Sequence, residues 1–332
     1  MIDRRTFIGT LAGSLVATTI AAEAQVVKTA QIGFLSSGIS SFFAPHGRTA
    51  FYVRALRDSL TELGYIENQN VTIEYRFAEE KEQRLPSLAA ELVKHGVDVI
   101  VTPGPSATNA AKSATGTIPI VAIDFESDPV AAGFAASFAR PNGNITGIFL
   151  DQANISGKWL ELLKEAVPRL VRVAVLWDTS TPKHQLDAIK LAAKTLALTV
   201  DTLEVRGLSD FASAFGTATR LHCQGVVILS SPLTSRRGNE LAAASVAKRL
   251  PTISMFQENV TEGCLISYGP NVADGYRRLG SLVGRILKGA KPGDLPIEQP
   301  SKFELFINLK TAKVLGLTIP PSVLGRADQV IE

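Results

Sequence analysis

The chain has 332 residues, of which 45% are hydrophobic and 20% are charged, and its formal net charge is +3. This length allows two domains, and the composition is that of a globular protein rather than a disordered chain or one embedded in a membrane. No basic run alternates with aromatic residues, so we expect no nucleic-acid partner.

The first 24 residues have the features of an export signal. Arg4 and Arg5 precede an apolar segment, residues 7–20, that is too short to span a bilayer. Residues 22–24, Ala-Glu-Ala, match a cleavage site and predict a mature start at Gln25. The paired arginines favour the twin-arginine route, with the general secretory route as the alternative. We therefore expect an exported, periplasmic protein.

The first part of the mature chain alternates between strands and helices. Strands are predicted at residues 30–35, 71–75, 97–101, 118–123 and 144–150, and helices at 48–63, 82–95, 129–140 and from Ser106 onward. This alternating order predicts a parallel sheet with helices on both faces.

The same order of elements then begins again, without an internal sequence repeat. Strands are predicted at residues 172–177, 199–205, 226–229, 252–255, 263–269 and 303–308, and helices at 156–167, 185–196, 210–221, 239–250, 273–288 and 309–315. The last elements exceed the needs of a second unit, which indicates that the chain crosses between two lobes three times. We expect crossings near Leu150–Asp151, Cys264–Ser267 and Pro300–Phe303, an N-terminal lobe of residues 25–150 and 265–300, and a C-terminal lobe of residues 151–264 and 301–332.

Candidate ligand-binding residues follow the predicted strands, because ligands of open α/β sheets gather at the carboxyl edge. The helix beginning at Ser106 presents unpaired N–H groups that can bind a carboxylate, although a turn that binds nothing is the alternative. Asp124 and Asp178 end strands where a carboxylate can meet an ammonium group, with an Asx turn or a helix cap as the alternative role. The candidates are Ser37, Phe42, Phe43, Pro103, Ser106, Ala107, Thr108, Asp124, Asp178, Thr179, Ser180, Ser231, Phe256 and Tyr268.

We expect no catalytic site, metal site or cofactor. No G-x-S-x-G, H-E-x-x-H, Walker or G-x-G-x-x-G motif is present, and the 4 histidines are scattered, so a secreted hydrolase would lack a nucleophile with a base in reach. Cys223 and Cys264 have no metal spacing. We expect two small buried side chains, although an oxidising compartment would also allow them to pair.

Several runs, in order over nearly the whole mature chain, carry a family resemblance. They are GYIENQNVTIEYR (64–76), RLPSLAAELV (84–93), DVIVTPGP (98–105), IPIV (118–121), ARPNGNITG (139–147), SGKWLELLKEAVP (156–168), SYGP (267–270), ILKGAKPGDLPIEQP (286–300) and FINLKTAKVLGLTIP (305–319). They resemble the ABC-transporter substrate-binding protein family that includes tryptophan- and tyrosine-binding members. The resemblance implies the type I periplasmic-binding-protein fold, in which two Rossmann-like lobes with parallel sheets are joined by a three-strand hinge, and it implies an ABC permease as partner.

Together these features predict a monomeric solute-binding protein of an ABC importer, not an enzyme. We expect it to capture a small amino-acid-like or aromatic carboxylate in the cleft between the lobes. A ligand-sensing module for a membrane receptor has the same fold and is the alternative function. A secreted hydrolase is the third possibility considered.

Overall fold

The computed structural model describes residues 29–43 and 50–332, without the side chains of Phe42, Phe43 and Ala153. The predicted export signal and its cleavage site therefore lie outside the described residues. Within the described ranges, no helix combines the length and the apolar character needed to cross a membrane.

The first lobe is built on a five-stranded sheet. Its elements are β1 (Ala30–Ser36), α1 (Ser40–Phe43), α2 (Ala50–Glu62), β2 (Val71–Phe77), α3 (Leu85–His95), β3 (Val99–Pro103), α4 (Pro105–Ala114), β4 (Ile120–Asp124) and β5 (Ile145–Phe149). The strand order is β2-β1-β3-β4-β5, and every pair is parallel. The strands β4 and β5 are buried along their whole length, as strands covered by helices on both faces must be.

The second lobe is built on a seven-stranded sheet. The remaining elements of the chain are α5 (Gln152–Ala166), β6 (Arg172–Asp178), α6 (His184–Thr195), β7 (Thr199–Val205), α7 (Asp210–Arg220), β8 (Gly225–Ile228), α8 (Gly238–Lys248), β9 (Thr252–Ser254), α9 (Gln257–Thr261), β10 (Ile266–Pro270), α10 (Val272–Leu287), β11 (Phe303–Asn308), α11 (Leu309–Leu315), α12 (Pro321–Leu324) and β12 (Gln329–Ile331). The strand order is β12-β11-β10-β9-β8-β6-β7, and only the pair β10–β11 is antiparallel.

The chain crosses between the lobes three times, but the second crossing is not where the sequence predicts it. Strand β10 pairs with β9 and β11, so residues 265–270 belong to the second lobe rather than the first. The crossing lies at Asn271, whose N–H donates to the carbonyl of Lys302 in the third crossing at 2.9 Å. The apolar pattern of a strand shows that it is buried but not which sheet it joins, and this explains the error.

The predicted helix over Pro129–Arg140 is wrong, because these residues form turns. Asp128 Oδ1 accepts a hydrogen bond from the backbone N–H of Val130 at 2.8 Å, which favours a turn. Gly133 has a φ of +67° and ends the first turn. The apolar spacing has another cause, since Phe134 packs against Phe149 of the sheet with ring centroids 6.1 Å apart.

Helix α10 belongs to the first lobe, where it packs closely against α2. A Cβ atom at Gly280 would lie 2.8 Å from the carbonyl oxygen of Leu56, so the close approach of the two helices requires glycine there. The contact places Tyr276 of α10 on Tyr52 of α2, with ring centroids 5.4 Å apart and planes inclined by 14°. Both rings are buried and border the space between the lobes.

Candidate ligand-binding site

A cavity of about 130 Å³ lies where the carboxyl ends of both sheets face each other. The first lobe contributes residues after β1, β3 and β4, and the second lobe contributes residues after β8 and β9. Each sheet changes the direction of its strand order at this edge, between β1 and β3 and between β6 and β8. Open α/β sheets bind ligands at such a switch point.

Two buried carboxyl groups line the cavity, one from each lobe. Glu126, which follows β4, is 6% exposed, and Glu258 of α9 is 9% exposed. The hydroxyl of Ser230 donates to Glu126 Oε1, and the hydroxyl of Tyr52 donates to Glu258 Oε1. Both hydrogen bonds connect one lobe to the other, so the structure is a closed form of the cleft.

The carboxyl group of Glu126 lies beside that of Asp124, which is fully buried. Burial raises the pKa of Asp124, and burial together with the charge of Asp124 raises the pKa of Glu126 to about 8. Among the residues that the structure describes, no Lys, Arg or His side chain forms an ion pair with either carboxyl group. The pair therefore holds a proton near neutral pH when the closed cavity is empty.

A buried cation also lines the cavity. The Arg236 side chain is 11% exposed, and burial lowers its pKa. Its Nη2 donates to Ser37 Oγ at 3.3 Å, and its Nη1 lies 3.6 Å from Glu80 Oε1, so both contacts reach across to the first lobe. A guanidinium in this position can bind a carboxylate in the cavity.

Aromatic rings form much of the remaining wall. The stacked pair of Tyr52 and Tyr276 comes from the first lobe, together with Phe125, and Phe256 comes from the second. Burial raises the pKa of Tyr276, as does the nearby charge of Glu126, so its hydroxyl stays protonated. A flat apolar ligand group can pack against these rings.

Four of the predicted ligand-binding residues line this cavity. They are Ser37, Pro103, Ser231 and Phe256, and each lies at or shortly after the carboxyl end of a strand. Ser37 contacts Arg236, and the Ser231 hydroxyl oxygen accepts a hydrogen bond from the Thr234 N–H at 3.0 Å.

The predicted residues at the start of α4 do not line the cavity. Helix α4 begins at Pro105, with Gly104 as N-cap at a φ of +84°. The Ser106 hydroxyl donates to Glu82 Oε1 at 3.0 Å, within the first lobe. Ala107 and Thr108 are buried in that lobe.

The two predicted aspartates form Asx turns, which is their alternative role. Asp124 Oδ1 accepts from the N–H of Glu126 at 2.9 Å, and Asp178 Oδ1 accepts from the N–H of Ser180 at 2.9 Å. Neither lines the cavity, and nor do Thr179 and Ser180. The N–H of Thr179 donates to the carbonyl of Val205 at 3.1 Å.

The predicted aromatic residues have separate positions. Tyr268 lies in β10 away from the cavity and stacks on Phe303, with ring centroids 5.7 Å apart. The Tyr268 carbonyl accepts the indole N–H of Trp159 at 2.6 Å. Phe42 and Phe43 lie in α1, and their side chains lie outside the described part of the chain.

Several cavity residues were not predicted. They are Tyr52, Phe125, Glu126, Arg236, Glu258 and Tyr276. Glu126 and Phe125 directly follow a strand end that was considered, so a wider window after β4 would include them. The two tyrosines lie on helix faces with apolar spacing, which normally indicates core packing. Their position at the cavity depends on α2 packing against α10, which is distant in sequence.

The model of the ABC transporter substrate binding protein family matches residues 39–331. The chain belongs to this family. It is 27% identical over 274 residues to the tyrosine-binding protein of Clostridioides difficile (strain R20291), covering 80% of this chain and 75% of that one. The two lobes and their three crossings form the type I periplasmic-binding-protein fold.

Two solved structures illustrate the similarity. The ABC domain in complex with L-Trp from Streptococcus pneumonia is 26% identical, with a TM-score of 0.83 over 91% of this chain and 100% of that one. A conserved domain protein from Vibrio cholerae is 24% identical, with a TM-score of 0.83 over the same shares, and it shows the fold alone. Within the described residues, no group of three or more His, Cys, Asp and Glu side chains is placed to hold a metal ion.

Proposed function

We propose that the protein is the periplasmic solute-binding protein of an ABC importer and that its cleft captures an aromatic amino acid. The observation that carries this proposal is one cavity between the lobes that is lined by a buried carboxyl group, a buried guanidinium and an aromatic wall. These three groups complement the ammonium, carboxylate and ring of such a ligand. The relatives named above, a tyrosine-binding protein and an L-Trp complex, support the same ligand class.

Each group of the ligand has a partner in this proposal. The ammonium group meets Glu126, and the carboxylate meets Arg236 and the hydroxyl of Ser37. The ring packs between Phe256 of the second lobe and the stacked pair of Tyr52 and Tyr276 in the first lobe. Because both lobes contact the ligand, it binds the closed form best and shifts the population toward closure.

Calorimetric titration of the chain from Gln25 onward, refolded from denaturant to remove any bound solute, tests the proposal. L-tryptophan, L-tyrosine and L-phenylalanine are compared with aliphatic amino acids and with sugars. We expect saturable binding of at least one aromatic amino acid, which is recovered unchanged after long incubation. Binding of a sugar alone would contradict the proposal, and conversion of the bound amino acid would contradict a transport role.

The Arg236→Ala variant tests the carboxylate partner. We expect a loss of affinity of about 30-fold or more, because a buried charged partner is removed. The matched control is Arg277→Ala, which removes an exposed arginine paired with Glu62 inside the first lobe at 3.0 Å. Equal affinities of the two variants would move the carboxylate site away from Arg236.

A further inference from the structure

The carboxyl pair at the end of β4 has a property that the proposed function leaves unexplained. Glu126 lines the cavity, and Asp124 lies behind it, fully buried. Their hydrogen-bond donors are neutral: the Ser230 hydroxyl for Glu126 Oε1, and the backbone N–H groups of Glu126 and Ser127 for Asp124 Oδ1, while the buried Asp124 Oδ2 has no hydrogen-bond partner among the described residues. Two adjacent buried carboxyl groups without a cation are costly to charge together, which favours a proton on one of them.

In the described part of the chain, no cationic side chain forms an ion pair with either carboxyl group. The titratable or charged side chains that line the cavity with Glu126 are Tyr52, Tyr276, Glu258 and Arg236. The contacts of Arg236 described above go to Ser37 and Glu80 rather than to this pair. A hydroxyl group donates to each cavity glutamate, Tyr52 to Glu258 and Ser230 to Glu126. Glu258 lies in the first turn of α9, whereas Glu126 lies beside the fully buried Asp124, and burial together with the charge of Asp124 raises the pKa of Glu126. The unmet need for positive charge is therefore at Glu126.

We propose that Glu126 determines the ligand class, because the closed cleft requires one positive charge beside it, either the ammonium group of a ligand or a proton. This inference rests on the proposed function and sharpens it. An aromatic amino acid brings the charge itself. A deaminated aromatic acid brings none, so closure around it takes one proton from solvent onto Glu126.

Opposite pH dependences follow from this difference. Opening of the cleft solvates Glu126 and moves its pKa from about 8 in the empty closed cleft toward the ordinary value of 4.5. Between these values, the affinity for a deaminated acid falls about tenfold per pH unit, because binding takes up one proton. The affinity for the amino acid does not fall in this range, because its ammonium group stays charged.

The test is calorimetric titration of the mature chain with L-tryptophan and with indole-3-propionate, its deaminated analogue. Measurements at about pH 5.5 and about pH 7.5 should differ by roughly 100-fold for indole-3-propionate and little for L-tryptophan. Two buffers with different ionisation enthalpies should report uptake of one proton with indole-3-propionate only. The same comparison is then made with L-tyrosine and its deaminated analogue, 3-(4-hydroxyphenyl)propionate.

The variant Glu126→Gln mimics the protonated carboxyl group. We expect it to bind indole-3-propionate independently of pH, and more tightly than the wild type at about pH 7.5. Its affinity for L-tryptophan should fall by about 30-fold or more. The variant Asp124→Asn keeps Oδ1 as an acceptor for the turn. Because Asp124 contributes to the raised pKa of Glu126, the affinity of this variant for indole-3-propionate should stop falling at a lower pH than in the wild type.

The outcomes separate this inference from the proposed function. Binding of L-tryptophan and indole-3-propionate with the same pH dependence overturns the role of Glu126 and leaves the proposed function intact. The same conclusion follows if Glu258→Gln, rather than Glu126→Gln, abolishes the difference in pH dependence between L-tryptophan and indole-3-propionate. Wild-type protein that binds neither aromatic amino acid nor analogue overturns both. Circular dichroism and thermal unfolding of each variant show whether it is folded.

Discussion

An ionic contact across the mouth of the cleft should control how readily the lobes open. Glu80, which follows β2 in the first lobe, accepts two hydrogen bonds from Arg237 Nη2 of the second lobe, at 2.9 and 2.8 Å. Arg236 Nη1 lies 3.6 Å from the same carboxylate. The substitution Glu80→Gln removes the charge and keeps the shape, so it tests the contribution of this contact to closure.

The solvent exposure of the Glu80–Arg237 ion pair determines how strongly it stabilises the closed form. The Glu80 side chain is 35% exposed and that of Arg237 is 23% exposed, so the pair is neither fully solvated nor fully buried. We expect it to stabilise the closed form by about 1 kcal/mol, the upper part of the range for accessible ion pairs. That corresponds to a fall of about fivefold in the ratio of closed to open molecules. The apparent dissociation constant of a ligand that needs the closed form should rise by up to the same factor.

Small-angle scattering of the ligand-free protein at low and high salt measures the effect. High salt screens the contact, so the wild type should become more open, whereas Glu80→Gln should be open at both salt concentrations. The matched control is Glu62→Gln, which breaks an exposed pair with Arg277 inside the first lobe. If Glu80→Gln shows the wild-type salt dependence and affinity, or if Glu62→Gln opens the cleft equally, the contact does not control closure.

Three further predictions concern stability in urea denaturation. Gly147→Ala should lower the unfolding free energy by about 3 kcal/mol or more, because a Cβ there would lie 1.9 Å from the carbonyl oxygen of Ala122. Gly216→Ala, at a position with open space inside α7, should raise the unfolding free energy by about 1 kcal/mol. Changes of the same sign in the two variants would contradict this prediction. Arg249→Gly should raise the unfolding free energy by about 1 kcal/mol, since Arg249 ends α8 at a φ of +52°, and an equal gain in Arg249→Ala would refute that cause. Glu126 keeps its proton up to about pH 8 in the closed native protein, but only up to about pH 4.5 in the unfolded chain. The unfolding free energy should therefore fall as the pH rises between these two values. An equal fall in Glu126→Gln would exclude Glu126 as the source.

The fold follows from the sequence where burial on two faces leaves a continuous apolar run. Strands such as β3 and β4 are of this kind, and alternation with amphipathic helices then leads to parallel sheets. Prediction fails where the apolar spacing has another cause, as in residues 129–140, where buried Phe134 packs a turn onto the sheet. It also fails for β10, because membership of a sheet is decided by partners such as β9 and not by the strand's own residues.

The site is partly predictable for the same reason. Ser37, Pro103, Ser231 and Phe256 lie at or just after strand ends, and the carboxyl edge of a sheet brings such residues together whatever the rest of the chain does. Tyr52 and Tyr276 reach the cavity only through the packing of two helices that are far apart in sequence. Local spacing contains no information on that contact.

The proposed roles of Glu80 and Glu126 oppose each other in the empty protein. Placing a proton on a carboxyl group with the ordinary pKa of 4.5 costs about 3 kcal/mol at pH 7. The ionic contact at Glu80 offsets about 1 kcal/mol of this cost, so closure of the empty cleft should become less favourable as the pH rises toward neutral. A ligand with an ammonium group removes the need for the proton, and the contact at Glu80 then adds to closure. Closure therefore depends on the charge that the ligand carries, so loaded and empty protein should differ in the fraction of closed molecules.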